Sequence, residues 1–310
     1  MNVLIPVETA SRELPYKTYL SAVLSHKGFS CYLGSKSSIL DLIKQSKDYL
    51  YLDKGFHNGV SQDFYDLIKK NNGLIFSLDE EGAVDYADHR IIKHRYAKQL
   101  FDYADHVFFW GQKQLSVVES NIKNGSKVSV SGHPRFQLLS AQYRHIYAPQ
   151  VQVLNKKYGR YVLFNTNMGF GNNINGDDFV KRNYGDRFTD IDEIIAFDKS
   201  KCALMIKAIK SIAREQGLNI VLRPHPEEDI NYYKKNLENY CNKNQFEFKK
   251  IIFLDRVPNR EDYLSRISHF DFSLDTHPYN GHTISLDNLR SFTPVLTLCG
   301  NSYASRVTYS

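Results

Sequence analysis

The chain has 310 residues, of which 42% are apolar and 24% charged, with a net charge of +6. That length allows two cores, and the even mixture of charges excludes wholesale disorder. The modest positive balance suits an anionic substrate or a loose association with an acidic membrane surface; nucleic acid would call for a basic stripe.

Cys31, Cys202, Cys241 and Cys299 show neither CxxC nor metal-ligand spacing, and no signal-peptide pattern opens the chain. No apolar run approaches a membrane span. The expectation is a cytoplasmic protein with free thiols, no metal and no cofactor.

In chain order, Asn2–Val7 is an apolar run expected as a first strand, followed by Glu8 in its loop and a helix from Leu14 to Lys27. Strands are expected at Phe29–Leu33, Tyr49–Leu52 and Leu74–Leu78, alternating with helices at Ser38–Gln45 and Phe64–Asn71. A basic helix over His89–Tyr103, a strand at Val107–Trp110, a helix at Gln112–Ile122 and a strand at Val128–Ser131 complete the first half. Short strands alternating with helices predict a parallel sheet.

The Leu74–Leu78 strand delivers Asp79-Glu80-Glu81-Gly82. A general base needs a carboxylate on a rigid element whose proton affinity is raised by burial or by a like charge. Asp79, Glu80 and Glu81 are therefore catalytic candidates, and an acid-rich helix start is the plainer alternative. Glu8, from the equivalent place after the first strand, is a second candidate. His133 and Arg135, after Gly132, offer a sugar or phosphate contact or a simple turn.

The pattern loosens over Ser140–Gly159, where an inter-domain linker is expected between a domain at residues 1–145 and another at 160–310. Tyr161–Asn165 starts the second domain. Its loop carries Asn167 and Gly169, amide and glycine groups suited to cradling sugar or phosphate. Residues 176–193 read as a polar loop, Ile194–Gln216 as a long helix and Asn219–Leu222 as a strand. That strand leads into Arg223-Pro224-His225-Pro226, where two prolines stiffen the turn. A guanidinium and an imidazole projecting from it suit phosphate binding and leaving-group stabilisation, and a rigid turn with solvent-facing side chains is the alternative. Strands at Ile251–Leu254, Phe270–Leu274 and Val295–Leu298, with helices at Arg260–Ile267 and from Ser285, end the chain.

Between the last two strands lies a loop with Asn280, Gly281, His282 and Thr283. A helix start near Thr283 presents free N–H groups to an anion, and Gly281 permits close approach. Asp287 follows one turn later, placed to accept from ribose hydroxyls. A helix cap with an acid balancing the dipole is the alternative.

The segment NGHTISLDNL…TPVLTLCGNSYASRV resembles the C-terminal catalytic lobe of the O-linked N-acetylglucosamine transferases, from about Ile251 to Val307. The resemblance implies a UDP site in which His282 and Thr283 contact the diphosphate and Asp287 the ribose. Ile284 stands where that family has a second threonine, removing one hydroxyl donor. The segments IPVE…SRE, LYLDKG, SLDEEG, FFWGQKQ, SGHPR, YGRYVLFNTNMGFGN and VLRPHPEED are similar to bacterial surface carbohydrate biosynthesis proteins. That second resemblance implies a glycosyltransferase-like protein in capsule, lipopolysaccharide or cell-wall glycan assembly.

Together these imply a GT-B-like α/β fold, two Rossmann-type domains with parallel sheets facing across a cleft, and a metal-independent glycosyltransferase. The donor would be a nucleotide-sugar, UDP-linked by the C-terminal resemblance and CMP-linked as an alternative, as in Kdo transfer. The acceptor would be a glycan or lipid-linked glycan, with peripheral association at the cytoplasmic membrane. GT-B proteins usually close with helices that cross back onto the first domain, so a chain ending in ASRVTYS reads as shortened or atypical. Rival expectations are a nucleotide-sugar 2-epimerase, a catalytically silent nucleotide-sugar-binding subunit, and a protein O-glycosyltransferase; the absence of tetratricopeptide-like repeats weakens the last.

Overall fold

The computed structural model describes residues 1–310 except 83–84, 86–87, 147, 188–189, 215–217, 245–246, 248–249, 255–271, 276–279, 282, 291–292, 298, 301–307 and 309–310. Residues 1–140 and 141–300 form two compact units.

The first unit contains strands β1 (Asn2–Val7), β2 (Ser30–Ser35), β3 (Tyr49–Asp53), β4 (Leu74–Leu78), β5 (His106–Phe109) and β6 (Val128–Val130). They form one parallel sheet in the order β2-β1-β3-β4-β5-β6. Its helices are α1 (Ala10–His26), α2 (Lys36–Gln45), α3 (Gln62–Lys70), α4 (Arg90–Arg95), α5 (Leu100–Tyr103) and α6 (Gln112–Val118).

The second unit contains β7 (Tyr161–Asn165), β8 (Asn219–Arg223), β9 (Ile251–Phe253), β10 (Phe272–Leu274) and β11 (Val295–Leu296), parallel in the order β11-β10-β7-β8-β9. Its helices are α7 (Ala148–Tyr158), α8 (Asp177–Tyr184), α9 (Ile191–Ile212), α10 (Ile230–Asn244) and α11 (Thr283–Arg290).

Period-2 alternation builds both cores. Leu4, Tyr49, Tyr51, Ile75 and Val107 pack on one face of the first sheet with Ile39, Ile43, Tyr65 and Ile68. Val3, Ile5, Leu50, Leu52 and Leu78 fill the other face. All five residues of β3 and all five of β7 are buried, as expected of parallel strands covered on both sides. In the second unit Val162, Phe164, Ile220 and Leu222 meet Ile206 and Ile209 of α9 and Tyr233 and Leu237 of α10.

Several elements differ from expectation. The helix expected over 89–103 is broken at Tyr96. That residue is pulled into the core, its ring stacked on Phe109 at 5.0 Å, and Asn121 Nδ2 donates to its carbonyl at 3.0 Å. Tyr96 has φ −105° and ψ 47°, outside the helical region, so the ladder stops there. The expected linker is a 3₁₀ stretch, Ala141–Ile146, followed by helix α7.

Within the expected polar loop, α8 buries Val180 and carries Asp177 and Asp178 in its first turn and Lys181 and Arg182 in its last. That charge order complements the helix dipole. Helix α10 was not anticipated; its buried residues Tyr233, Leu237 and Cys241 recur every four positions amid polar neighbours. Helix α1 starts earlier than expected, because Glu13 reaches back to the N–H groups of Glu8 and Thr9. Pro15 therefore lies inside it, at the cost of one backbone bond. The helix expected at 260–267 lies outside the described residues.

Candidate functional site

In open parallel sheets, ligands bind beyond the carboxyl ends of the strands where strand order reverses. The first sheet reverses between β1 and β3, the second between β7 and β10. Those of the expected site residues that the structure describes fall at the carboxyl edges of these two sheets.

In the first unit, Asp79, Glu80 and Glu81 follow β4 and are paired with cations. Glu80, 3% exposed, receives Tyr16 Oη–H and the Arg135 guanidinium, with Lys17 Nζ at 3.1 Å. Glu13, fully buried, takes Lys17 and Lys54, each at 2.9 Å. Burial raises the proton affinity of Glu13, yet Lys54 and Lys17 outweigh it and bring its pKa down to about 2. Glu8 is paired with Lys54 at 2.8 Å and Lys36 at 3.0 Å, and Lys54 holds it below the usual carboxylate range.

Glu81 is the accessible member, 36% exposed, gripped by Arg12 at 3.2 Å and Arg95 at 2.7 Å. Burial raises its pKa, but Arg95 and Arg12 prevail and the net shift is downward. A general base needs the opposite direction. Asp79 is pushed up by burial, against the pull of Arg95 at 2.7 Å, but is only 3% exposed.

His133 is buried against the rings of Tyr16 and Trp110, and burial lowers its pKa to about 2, so it stays neutral. Its Nδ1 accepts from the Arg135 backbone N–H at 3.2 Å, and it braces Arg135 from inside the protein.

In the second unit, the turns after β7, β8 and β10 share one sheet edge. Arg223 ends β8, half-buried, and its carbonyl accepts Thr166 N–H at 3.2 Å. His225 is exposed on the next turn, its Nδ1 accepting Glu227 N–H at 3.4 Å. Asn167 is half-buried and Gly169 buried in the turn after β7. A Cβ on Gly169 would lie 3.5 Å from His225 Nδ1, so the expected sugar–phosphate loop and the Arg-Pro-His-Pro turn adjoin. The backbone N–H groups of Asn167 and Gly169 meet no acceptor among the described residues.

Asn280, fully buried, and Gly281 lead into α11. Gly281 N–H donates to Asp275 Oδ1 at 2.7 Å, and Thr297 Oγ1 donates to Asp275 Oδ2 at 3.0 Å. Gly281 is required by close approach: a Cβ there would sit 2.4 Å from Ile284 Cγ2. Thr283 is the first residue of α11, and Asp287, 4% exposed, follows one turn later. His282 lies outside the described residues.

Two carboxylates that sequence reading missed, Glu228 and Asp198, fix the turn after β7. Glu228 accepts from Thr166 and from Met168 N–H; Asp198 accepts Phe170 and Gly171 N–H, each at 3.0 Å. The only local hint was the second acid after the prolines. Among the described residues no cluster suits a metal ion, and no helix is long and apolar enough to cross a membrane.

Residues 230–310 match Glycosyl transferase family 41. No curated protein matches the chain. Among solved structures, the S. aureus MnaA–UDP co-structure has a TM-score of 0.53 at 14% identity, covering 97% of this chain and 80% of that one. The Methanocaldococcus jannaschii UDP-GlcNAc 2-epimerase, in complex with UDP-GlcNAc and UDP, has 0.52 at 12% identity, with 98% and 85% covered. A Thermobaculum terrenum O-GlcNAc transferase mutant has 0.44 at 14% identity; all of this chain aligns but only 55% of that one. The likeness to the first two establishes the fold, two parallel-sheet α/β domains of the GT-B-like, Rossmann type.

Proposed function

We propose that this protein is a glycosyltransferase that takes a sugar from a nucleotide-sugar, UDP-linked, and adds it to a surface-glycan acceptor without a metal. One observation carries the reading. The order of the second sheet reverses between β7 and β10, the two strands whose carboxyl ends lead into the Gly169 turn and towards α11, and α11 lies in the segment matching a glycosyltransferase family.

Arg223 supplies positive charge, and Arg223 and His225 supply hydrogen-bond donors, for the diphosphate. The α11 dipole adds to them, with His282 and Thr283 at its start by sequence. The free N–H groups of Asn167 and Gly169 face the same chemistry. Asp287 takes the ribose. These groups stabilise the departing nucleotide by fixed charges and dipoles, which lowers the barrier without reorganisation.

The acceptor falls to the first unit, where Glu81 is the most accessible of the three acids after β4. Held between Arg12 and Arg95, Glu81 orients an acceptor hydroxyl more than it removes a proton. The protein would act in the cytoplasm, peripheral to the membrane that carries a lipid-linked acceptor.

A second reading, nucleotide-sugar 2-epimerisation, is favoured by the fold shared with the M. jannaschii enzyme. Analysis of products from UDP-GlcNAc, with and without a lipid-linked glycan fraction, separates the two. Acceptor-dependent release of UDP supports transfer; an intact 2-epimer supports epimerisation. Binding with neither product identifies a silent subunit. A general base contributes about 10²–10⁴ in rate. Glu81→Gln is therefore expected to lower kcat for transfer by less than about 10²-fold, and a loss above about 10³-fold would show that Glu81 is the base after all.

A further inference from the structure

The geometry points to Glu228 as a positioning residue for this donor site. Its buried carboxylate locks the turn after β7 and the turn after β8 into one body and so sets the His225 imidazole against the Gly169 backbone. The inference rests on the reading just given.

Glu228 is 4% exposed. Its Oε1 receives Thr166 Oγ1–H at 2.9 Å, Met168 N–H at 3.1 Å and His225 N–H at 3.0 Å. Its Oε2 receives Tyr233 Oη–H, from α10, at 2.5 Å. Two of these donors belong to the turn after β7 and one to the turn after β8, so a single oxygen joins them. Among the described residues no cation pairs with this carboxylate.

A buried charge satisfied only by neutral donors costs desolvation that an apolar side chain would not. What it gives in return is direction, since each donor must aim at one point. Backbone bonds complete the joint: Ile174 N–H to the Glu227 carbonyl and Asp229 N–H to the Asn172 carbonyl, both at 2.8 Å. With Nδ1 of His225 turned to the Glu227 N–H, the ring proton sits on Nε2, the nitrogen free to donate to a phosphate oxygen.

The test is titration of the full chain with UDP and with uridine, which lacks the phosphates. Glu228→Ala is expected to weaken UDP by about tenfold or more and to leave uridine unchanged. Glu228→Gln, which keeps an acceptor for three of the donors and can donate to Tyr233, should stay within about threefold of the parent. Should Glu228→Ala not fold, Thr166→Val removes one of the bonds, and its loss of UDP affinity should not add to that of His225→Ala.

Folded Glu228→Ala or Thr166→Val binding UDP as the parent does would overturn the inference. So would equal losses for UDP and uridine, or full additivity with His225→Ala. If the parent chain binds neither UDP nor uridine, the donor-site reading itself fails, and this inference with it.

Discussion

Glu80→Ala is expected to destabilise the first unit by about 3–5 kcal/mol, because it removes a counter-charge from buried Lys17 and from the largely covered Arg135 guanidinium. Arg135 loses its carboxylate, Tyr16 loses its acceptor, and Lys17, 1% exposed, keeps Glu13 and the Pro6 carbonyl among the described residues. Trp110 is the one tryptophan and donates to the Asp79 carbonyl at 2.7 Å beside this network, so its fluorescence reports the loss directly during denaturation. A midpoint unchanged from the parent would mean that the network is dispensable.

The same cluster sets a pH dependence. The folded state holds Glu13 near a pKa of about 2, against 4.5 for the free carboxyl, so the unfolded chain takes up a proton first as pH falls. The contribution, about 3 kcal/mol, is complete above pH ~4.5 and is lost as pH drops towards ~2. Acid unfolding followed at Trp110 should fall in that window.

Gly171→Ala is expected to be as damaging in the second unit. Its Cβ would lie 2.3 Å from Lys199 N and 2.6 Å from Asp198 C, backbone atoms of α9 that cannot swing aside. Either the turn after β7 or the helix must move, and both Asp198 bonds to that turn stretch. A cost of about 3 kcal/mol follows from overpacking at this closeness. Far-UV circular dichroism should show a lowered transition, and UDP binding should weaken because Gly169 shifts with the turn. Parent-like stability and binding would show that the turn is slack.

The strands were legible because buried parallel strands announce themselves as short apolar runs: Leu74–Leu78 and Tyr161–Asn165 match in sequence and structure. Polar helices were less so. Helix α10 hides Tyr233, Leu237 and Cys241 among lysines and asparagines, and α8 resembles a loop until Val180 is seen to be buried.

Strand order depends on pairings between distant segments, so neither switch point could be placed from local pattern. The same distance hid the partners of the acids. Glu80 meets Tyr16 and Arg135 across 64 and 55 residues, and Glu228 meets Thr166 across 62. Three adjacent acids after a strand therefore read as catalytic candidates or as an acid-rich helix start, and nothing local shows that Glu80 is held by Arg135, Lys17 and Tyr16 or that Arg95 and Arg12 outweigh burial at Glu81. In the second unit the reading went further. Gly281 and Asn280 lie at the entry to a helix, as expected, whereas the closeness of Gly169 to His225 is a contact between distant segments that the structure alone gives.

The central claim is a uridine diphosphate site in the second unit, and calorimetric titration with UDP, CMP and GDP, metal-free, beside Asp287→Ala tests it most directly. The account predicts that UDP binds in preference to the other two and that Asp287→Ala weakens it by about tenfold or more through the lost ribose hydrogen bonds. Preference for CMP, or UDP binding untouched in Asp287→Ala, would contradict it.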